Sequence, residues 1–486
     1  MRQTLRRSCA ACARAKHSCD LRTPRCTRCI NRKIHCVYAN APARAPASSS
    51  LEEGQLMKKP LQKLSLADSL LASLDPFDSY PQTRLPRERV QRLIHSFIHK
   101  IAFQYYPLDL NATSNPFLVS WWPLALGDPA LFHVSLQTAC LDEELLAQKG
   151  FQASELLMAD SVTLLRRKIE DVSLAIQDGT MNSVITLAAI EFGKGNTSIS
   201  NMHVDGVKKL VKMRGGINAV RETSPLTARM VSWVSMLVTG HPQFETQDDL
   251  GIGDGIPPIP EWQIDSFSLN DPDLKIMDVE YGVLNVYYRL RNVFQRAPRI
   301  PFPPTQLHDL TCFVIHRLLF SVPDTTTSPS SPMTESLRYG IVLYMFIVQG
   351  PTYFSHAVIL NTIVTQLINR IAELESTPHE SGSFDIWLLG VGMVASAGTA
   401  HYSWFVERAR AMARSLNFGS WDEVLVNMKS ILWLETVPVE NKFQPHWDSL
   451  FNAADATGVL DLSHCAGPGV YEDPSLLTLQ YKGQKV

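Results

Sequence analysis

The sequence predicts a small cysteine-built module at the N-terminus, a flexible linker, and a large all-α body. Three observations carry that expectation. Six of the nine cysteines crowd between residues 9 and 36. The stretch that follows them, "ANAPARAPASSS", is made of Ala, Pro, Ser and little else, a composition that reads as a linker over residues 39–73. From about Leu85 onward apolar residues recur at three and four, while alternating strand patterns are nearly absent. The chain of 486 residues has room for two or three domains of roughly 100–200 residues each.

The N-terminal module, residues 8–38, is the most informative part. Its spacing is Cys9-x2-Cys12-x6-Cys19-x6-Cys26-x2-Cys29-x6-Cys36, and it is an internal repeat: "CAACARAKHSC" and "CTRCINRKIHC" share one pattern. Two intervening residues bring both thiolates to one side of a tight first helical turn, and six more allow a return to the same metal. Each half therefore offers three thiolates, whereas zinc takes four ligands in a tetrahedron. Two metals need eight ligand places, so sharing two of the six sulfurs closes both shells. The cluster then carries a formal −2, which neighbouring Arg and Lys offset. Thiolate is soft, which favours zinc over hard ions, and availability favours it over copper or iron. The competing readings are a disulfide framework and a purely structural metal knuckle. The opening "MRQTLRRSCAACARAK" has charge but no apolar segment of a signal peptide, so a reducing compartment and metal ligation are expected.

The segment from Ser8 to Tyr38 resembles the fungal Zn2Cys6 (Zn(2)-C6) binuclear cluster transcription factors, including Lys16 four residues past the second cysteine, Asp20 after the third, and Pro24 between the halves. The resemblance implies a nuclear regulator of RNA polymerase II transcription that binds two Zn2+, with Cys9 and Cys26 bridging the metals. It also implies that Lys16, at the end of the first helix, reaches the base edges of a CGG-like triplet in GC-rich double-stranded DNA. Lysine suits guanine because O6 and N7 are both acceptors. Arg6, Arg7, Arg14, His17, Arg28, Arg32 and Lys33 are the candidates for phosphate contacts, which position a module without reading sequence. Their alternative is a solvated basic face.

Charge distribution agrees with a polyanion as partner. The formal net charge is only −2, but residues 1–44 hold eleven Lys and Arg against Asp20 alone, giving +10 there and −12 over the remainder. A short basic end on a long acidic body is an arm for nucleic acid.

The body, residues 74–437, reads as helical at 160–176, 182–192, 202–214, 226–238, 279–294, 307–320, 335–348, 355–374, 384–416 and 421–434. Residues 438–486 lose periodicity and are expected to form an irregular tail. The phrases "LDPFDSYP", "HVDGVKKLVKMRGGI", "SLRYGIVLYMFI" and "FGSWDEVLVNMKSILWLE" resemble the fungal-specific regulatory domain that accompanies many such clusters. That resemblance implies a helical regulatory region, co-regulators or the transcription machinery as partners, and control of a metabolic or secondary-metabolite gene set. In the second phrase Val204, Val207, Leu210 and Val211 make an apolar face, and Gly215-Gly216 ends the helix. Residues 68–80 alternate acidic and apolar groups, as an activation segment or a packed entry segment does. No clean heptad runs through residues 51–74, so a zipper is not supported, and a monomer or a homodimer through the body both stay open. No apolar run reaches the roughly 18–20 residues of a membrane helix.

Enzyme signatures are missing. His95 and His99 share a helix face, but "HSFIH" lacks the glutamate of a metalloprotease, and no Gly-x-Ser-x-Gly elbow occurs. The expectation is no enzyme. The alternative to a DNA-binding regulator is a helical interaction or ligand-sensing protein whose cluster only stabilises it.

Overall fold

The computed structural model describes residues 10–15, 17, 19, 26–32, 34, 36, 80–105, 112–148, 150–263, 279–298, 302–320, 331–376 and 382–452. The chain divides into two compact units, Met1–Ala72 and Ser73–Val486. Among the described residues the regular structure is helical, and the only β pairing is an isolated bridge between Thr246 and Ile256. The linker, the segment 68–79 and the last residues, 453–486, lie outside the described residues.

The first unit contains α1 (Ala10–Arg14) and α2 (Thr27–Asn31). The second opens with α3 (Arg87–Ser96), which Pro86 precedes as its cap residue. A π-helical turn, Phe97–Ile101, carries it into α4 (Ala102–Tyr105). Val90, Leu93, Phe97 and Ile101 are all buried, so the wider turn keeps one apolar stripe facing inward. Then follow α5 (Trp122–Gly127), α6 (Pro129–Ala147), α7 (Gln152–Ile169), α8 (Val172–Ala175), α9 (Asp178–Gly193), α10 (Thr197–Met213), α11 (Ile217–Thr223) and α12 (Pro225–Thr239). The remaining helices are α13 (Tyr281–Arg296), α14 (Pro304–Phe320), α15 (Pro332–Gln349), α16 (Ala357–Glu375), α17 (Ser383–Ala395), α18 (Tyr402–Ser415), α19 (Trp421–Ile431) and α20 (Val437–Asn452).

Two helices organise the body. In the first half α9 is enclosed by α6, α10 and α12. Two of its buried hydroxyls donate to carbonyls of their own helix: Ser183 to Gly179 at 2.6 Å and Thr186 to Asn182 at 2.7 Å. That arrangement satisfies a donor without an external partner. In the second half α15 is packed by α13, α14, α16, α17 and α20. A methyl group on Gly340 of α15 would come within 2.6 Å of the Trp387 ring on α17, so the absent side chain sets that close approach.

Three local expectations are corrected. The single run predicted at 384–416 is two helices, α17 and α18, separated by a reversal in which Gly398 takes φ +77 and Ser396 donates to the Gly392 carbonyl at 2.7 Å. The run predicted at 160–176 begins earlier, at Gln152, and breaks after Ile169, where Asp171 caps the short α8. The helical body continues past Val437: α20 places Val439, Phe443, Trp447 and Leu450 in the core, although Pro438 and Pro445 argue locally against a helix. Gly215 and Gly216 do end α10 with φ of +102 and +97.

Candidate metal centre and nucleic-acid interface

The two halves of the cysteine repeat fold alike. In the first, the Ala15 amide donates to the Ala11 carbonyl at 3.2 Å and the His17 amide to Cys12 at 3.1 Å. Seventeen positions on, the Arg32 amide donates to Arg28 at 3.1 Å and the Ile34 amide to Cys29 at 3.0 Å. In both halves the second cysteine of the Cys-x2-Cys pair lies in a single helical turn, and the chain leaves that turn through the same wider hydrogen bond. Equal spacing in sequence has become equal backbone geometry.

This geometry gathers sulfur. Cys12, Cys26 and Cys29 are buried, and their Sγ atoms all lie within 4.8 Å of one another. Cys19 and Cys36 pack against the same cluster. The Cys12 and Cys26 sulfurs are 3.7 Å apart. A disulfide needs about 2.05 Å, and none of the described cysteines forms one. Two thiolates on one tetrahedral zinc, each about 2.3 Å from the metal, stand about 3.8 Å apart. The donor set and its spacing therefore fit zinc. The Cys26 amide also donates to the Cys36 sulfur at 3.4 Å, a contact that stabilises thiolate charge and that the spacing of cysteines alone does not reveal. Cys9 lies outside the described residues.

The lone cysteines of the body behave differently. Burial, reinforced by Glu144, pushes the Cys140 thiol up to about 11, and burial pushes Cys312 up to about 12. Both stay protonated at neutral pH and are poor ligands. His95 and His99 are exposed, with ring centroids 4.3 Å apart. Among the described residues the one cluster with metal-holding geometry is that of the three cysteines.

Around the sulfur cluster Arg14, His17 and Arg32 are exposed and Arg28 is half-buried. Lys16, Arg6, Arg7 and Lys33 lie outside the described residues. The repeat differs on its outer surface: Ile34 occupies the second-half counterpart of His17, and it and Ile30 are 43% and 55% exposed.

Two family models match the chain. Residues 7–45 match the fungal Zn(2)-Cys(6) binuclear cluster domain, a domain that binds two zinc ions. Residues 92–266 match the fungal specific transcription factor domain. The second match begins within α3, runs through α12 and ends before the two later phrases, in α15 and α19, that resemble the same domain. These are families of a transcription factor and not of an enzyme. No curated protein and no solved structure matches the chain. Among the described residues no helix is long and apolar enough to cross a membrane.

Proposed function

From its place among the fungal Zn2Cys6 transcription factors, to which the chain belongs, we propose that it acts in the nucleus as a zinc-dependent, sequence-specific regulator of RNA polymerase II transcription. The observation that carries this reading is the 3.7 Å approach of sulfurs from opposite halves of the repeat. Two metals held between the halves would fix the direction of both short helices. The role of Cys26 as a ligand shared by the metals is supported by the proximity of its sulfur to Cys12 of the first half and Cys29 of its own. Cys9 takes the symmetric role.

Lys16 reads guanine in a CGG-like triplet, while exposed Arg14, His17 and Arg32 contact phosphates, together with Arg28, Arg6, Arg7 and Lys33. Counterion release from those contacts makes affinity fall steeply with salt. The helical body recruits co-regulators, and the genes controlled belong to a metabolic or secondary-metabolite set. Lys16→Ala in the full-length protein tests the base-reading step. The substitution should cost about 1–3 kcal/mol on a CGG-containing duplex and narrow the gap to scrambled DNA. Equal weakening on both duplexes would make Lys16 a phosphate contact. No preference for CGG in the unsubstituted protein would leave the cluster as a structural device.

A further inference from the structure

The outer face of α3 and its π-helical continuation carries two histidines, His95 and His99, four residues apart. Both are exposed, and their ring centroids stand 4.3 Å apart with the planes tilted by 38°. Among the described residues neither imidazole has a hydrogen-bond partner. Two nitrogen donors therefore face water side by side.

The helix beneath them is firmly mounted. On its inner side Leu93, Phe97 and Ile101 are fully buried, and the Phe97 ring meets Trp122 at 5.6 Å. His99 belongs to the π-helical turn, which closes where the Ala102 amide donates to the Phe97 carbonyl. A step of four residues overshoots one α-helical turn of about 3.6 residues and falls closer to a full turn where the helix widens. The wider turn thus helps to set one imidazole above the other.

The charges beside the pair are already engaged. Arg92, three residues before His95, meets Glu143 of α6 at 3.2 Å. Lys100, next to His99 in the chain, meets Asp142 of α6 at 2.6 Å. The two cations that would repel a divalent ion each have a carboxylate at hand. Distance is suitable as well. Two imidazole nitrogens on one tetrahedral zinc, each about 2.0–2.1 Å from the metal, stand about 3.3 Å apart. Rings with centroids at 4.3 Å reach that separation by turning about χ2.

We propose that His95 and His99 form an open chelating site for a borderline-soft divalent cation, with Zn2+ as the ion in ordinary supply. Imidazole suits zinc, nickel and copper, whereas magnesium and calcium take oxygen ligands. The pair differs in kind from the sulfur cluster. Two protein ligands leave two places of a tetrahedral shell to water, while structural cysteine sites are closed. Its ion exchanges readily, so occupancy follows the free zinc concentration. No cysteine takes part, and the site is independent of whether the cysteine module reads guanine.

The test adds Zn2+ to full-length protein whose cysteine module already holds its two ions. Calorimetric titration reads affinity, and native mass spectrometry reads stoichiometry. One further ion should bind, and a mild chelator should remove it before the other two. His95→Gln and His99→Gln should each weaken it at least about tenfold, because the second bond of a chelate forms at high effective concentration. Neither substitution should alter the two module ions or the Tm without added zinc, since both side chains are exposed. Excess Mg2+ should not compete. The proposal is overturned if no further ion binds at submillimolar zinc, or if either single substitution leaves its affinity unchanged.

Discussion

Gly392 shows how little freedom single positions in the body have. A Cβ there would stand 2.0 Å from Cε1 of Phe405, a ring that is itself fully buried. The ring has no solvent to retreat into, so Gly392→Ala should destabilise the body by about 1–3 kcal/mol, as overpacking does. Chemical denaturation of the full-length protein measures it, and an unchanged midpoint would show that α17 and α18 can separate freely. Residue identity was also where the sequence was easiest to read. The six cysteines announce themselves because ligation needs one atom type at a fixed spacing, and both survive in one dimension. The ion pairs of Arg221 and Arg229 with Asp309 could not be found that way. Asp309 is 80 residues or more from either arginine along the chain, and only the packing of three helices joins them.

Among elements, legibility followed asymmetry. The α10 helix was visible because Val204, Val207, Leu210 and Val211 are buried on one side while Lys209 and Lys212 are exposed. By contrast α6 went unread because every residue from Ala130 to Leu141 is buried, leaving no polar face to create a period. The break between α17 and α18 was hidden because it rests on the backbone of Gly398, not on a change in hydrophobic pattern. At this scale the cysteine module makes its own prediction. If Cys26 serves both metals and Cys12 only one, Cys26→Ser should reduce bound zinc more than Cys12→Ser does. Metal content by native mass spectrometry decides it, and equal losses would remove the distinction. Chelation should abolish the fold of the module, because ligand binding there is folding free energy. The far-ultraviolet helical signal should stay nearly unchanged, since the helices of the body are held by their own core.

The whole body responds to pH through groups the module does not share. Burial lowers His308 and His316 to about 4 and His356 to about 3, with His308 reinforcing the effect at His356. In the unfolded chain each takes its proton near 6.5. Below that pH the unfolded state binds protons that the folded state refuses, so stability falls as pH drops from about 6.5 toward 4. Asp309 adds to the loss further down. Burial raises its carboxyl, but the contacts with Arg229 and Arg221 outweigh that and leave it below the usual range. Its stabilisation is present above about 3.9 and disappears as pH falls through the folded value. The Tm of the full-length protein should therefore change little from pH 8 to 7 and decline steadily from 6.5 to 4. A constant Tm down to pH 5 would mean that the three histidines are hydrated.

Selection of binding sites from a pool of random duplex DNA by the zinc-loaded, full-length protein tests the central claim most directly. The recovered sequences should share a GC-rich, CGG-like triplet, and enrichment should vanish when the metal is chelated. Recovery without sequence preference, or the same preference without zinc, would contradict it.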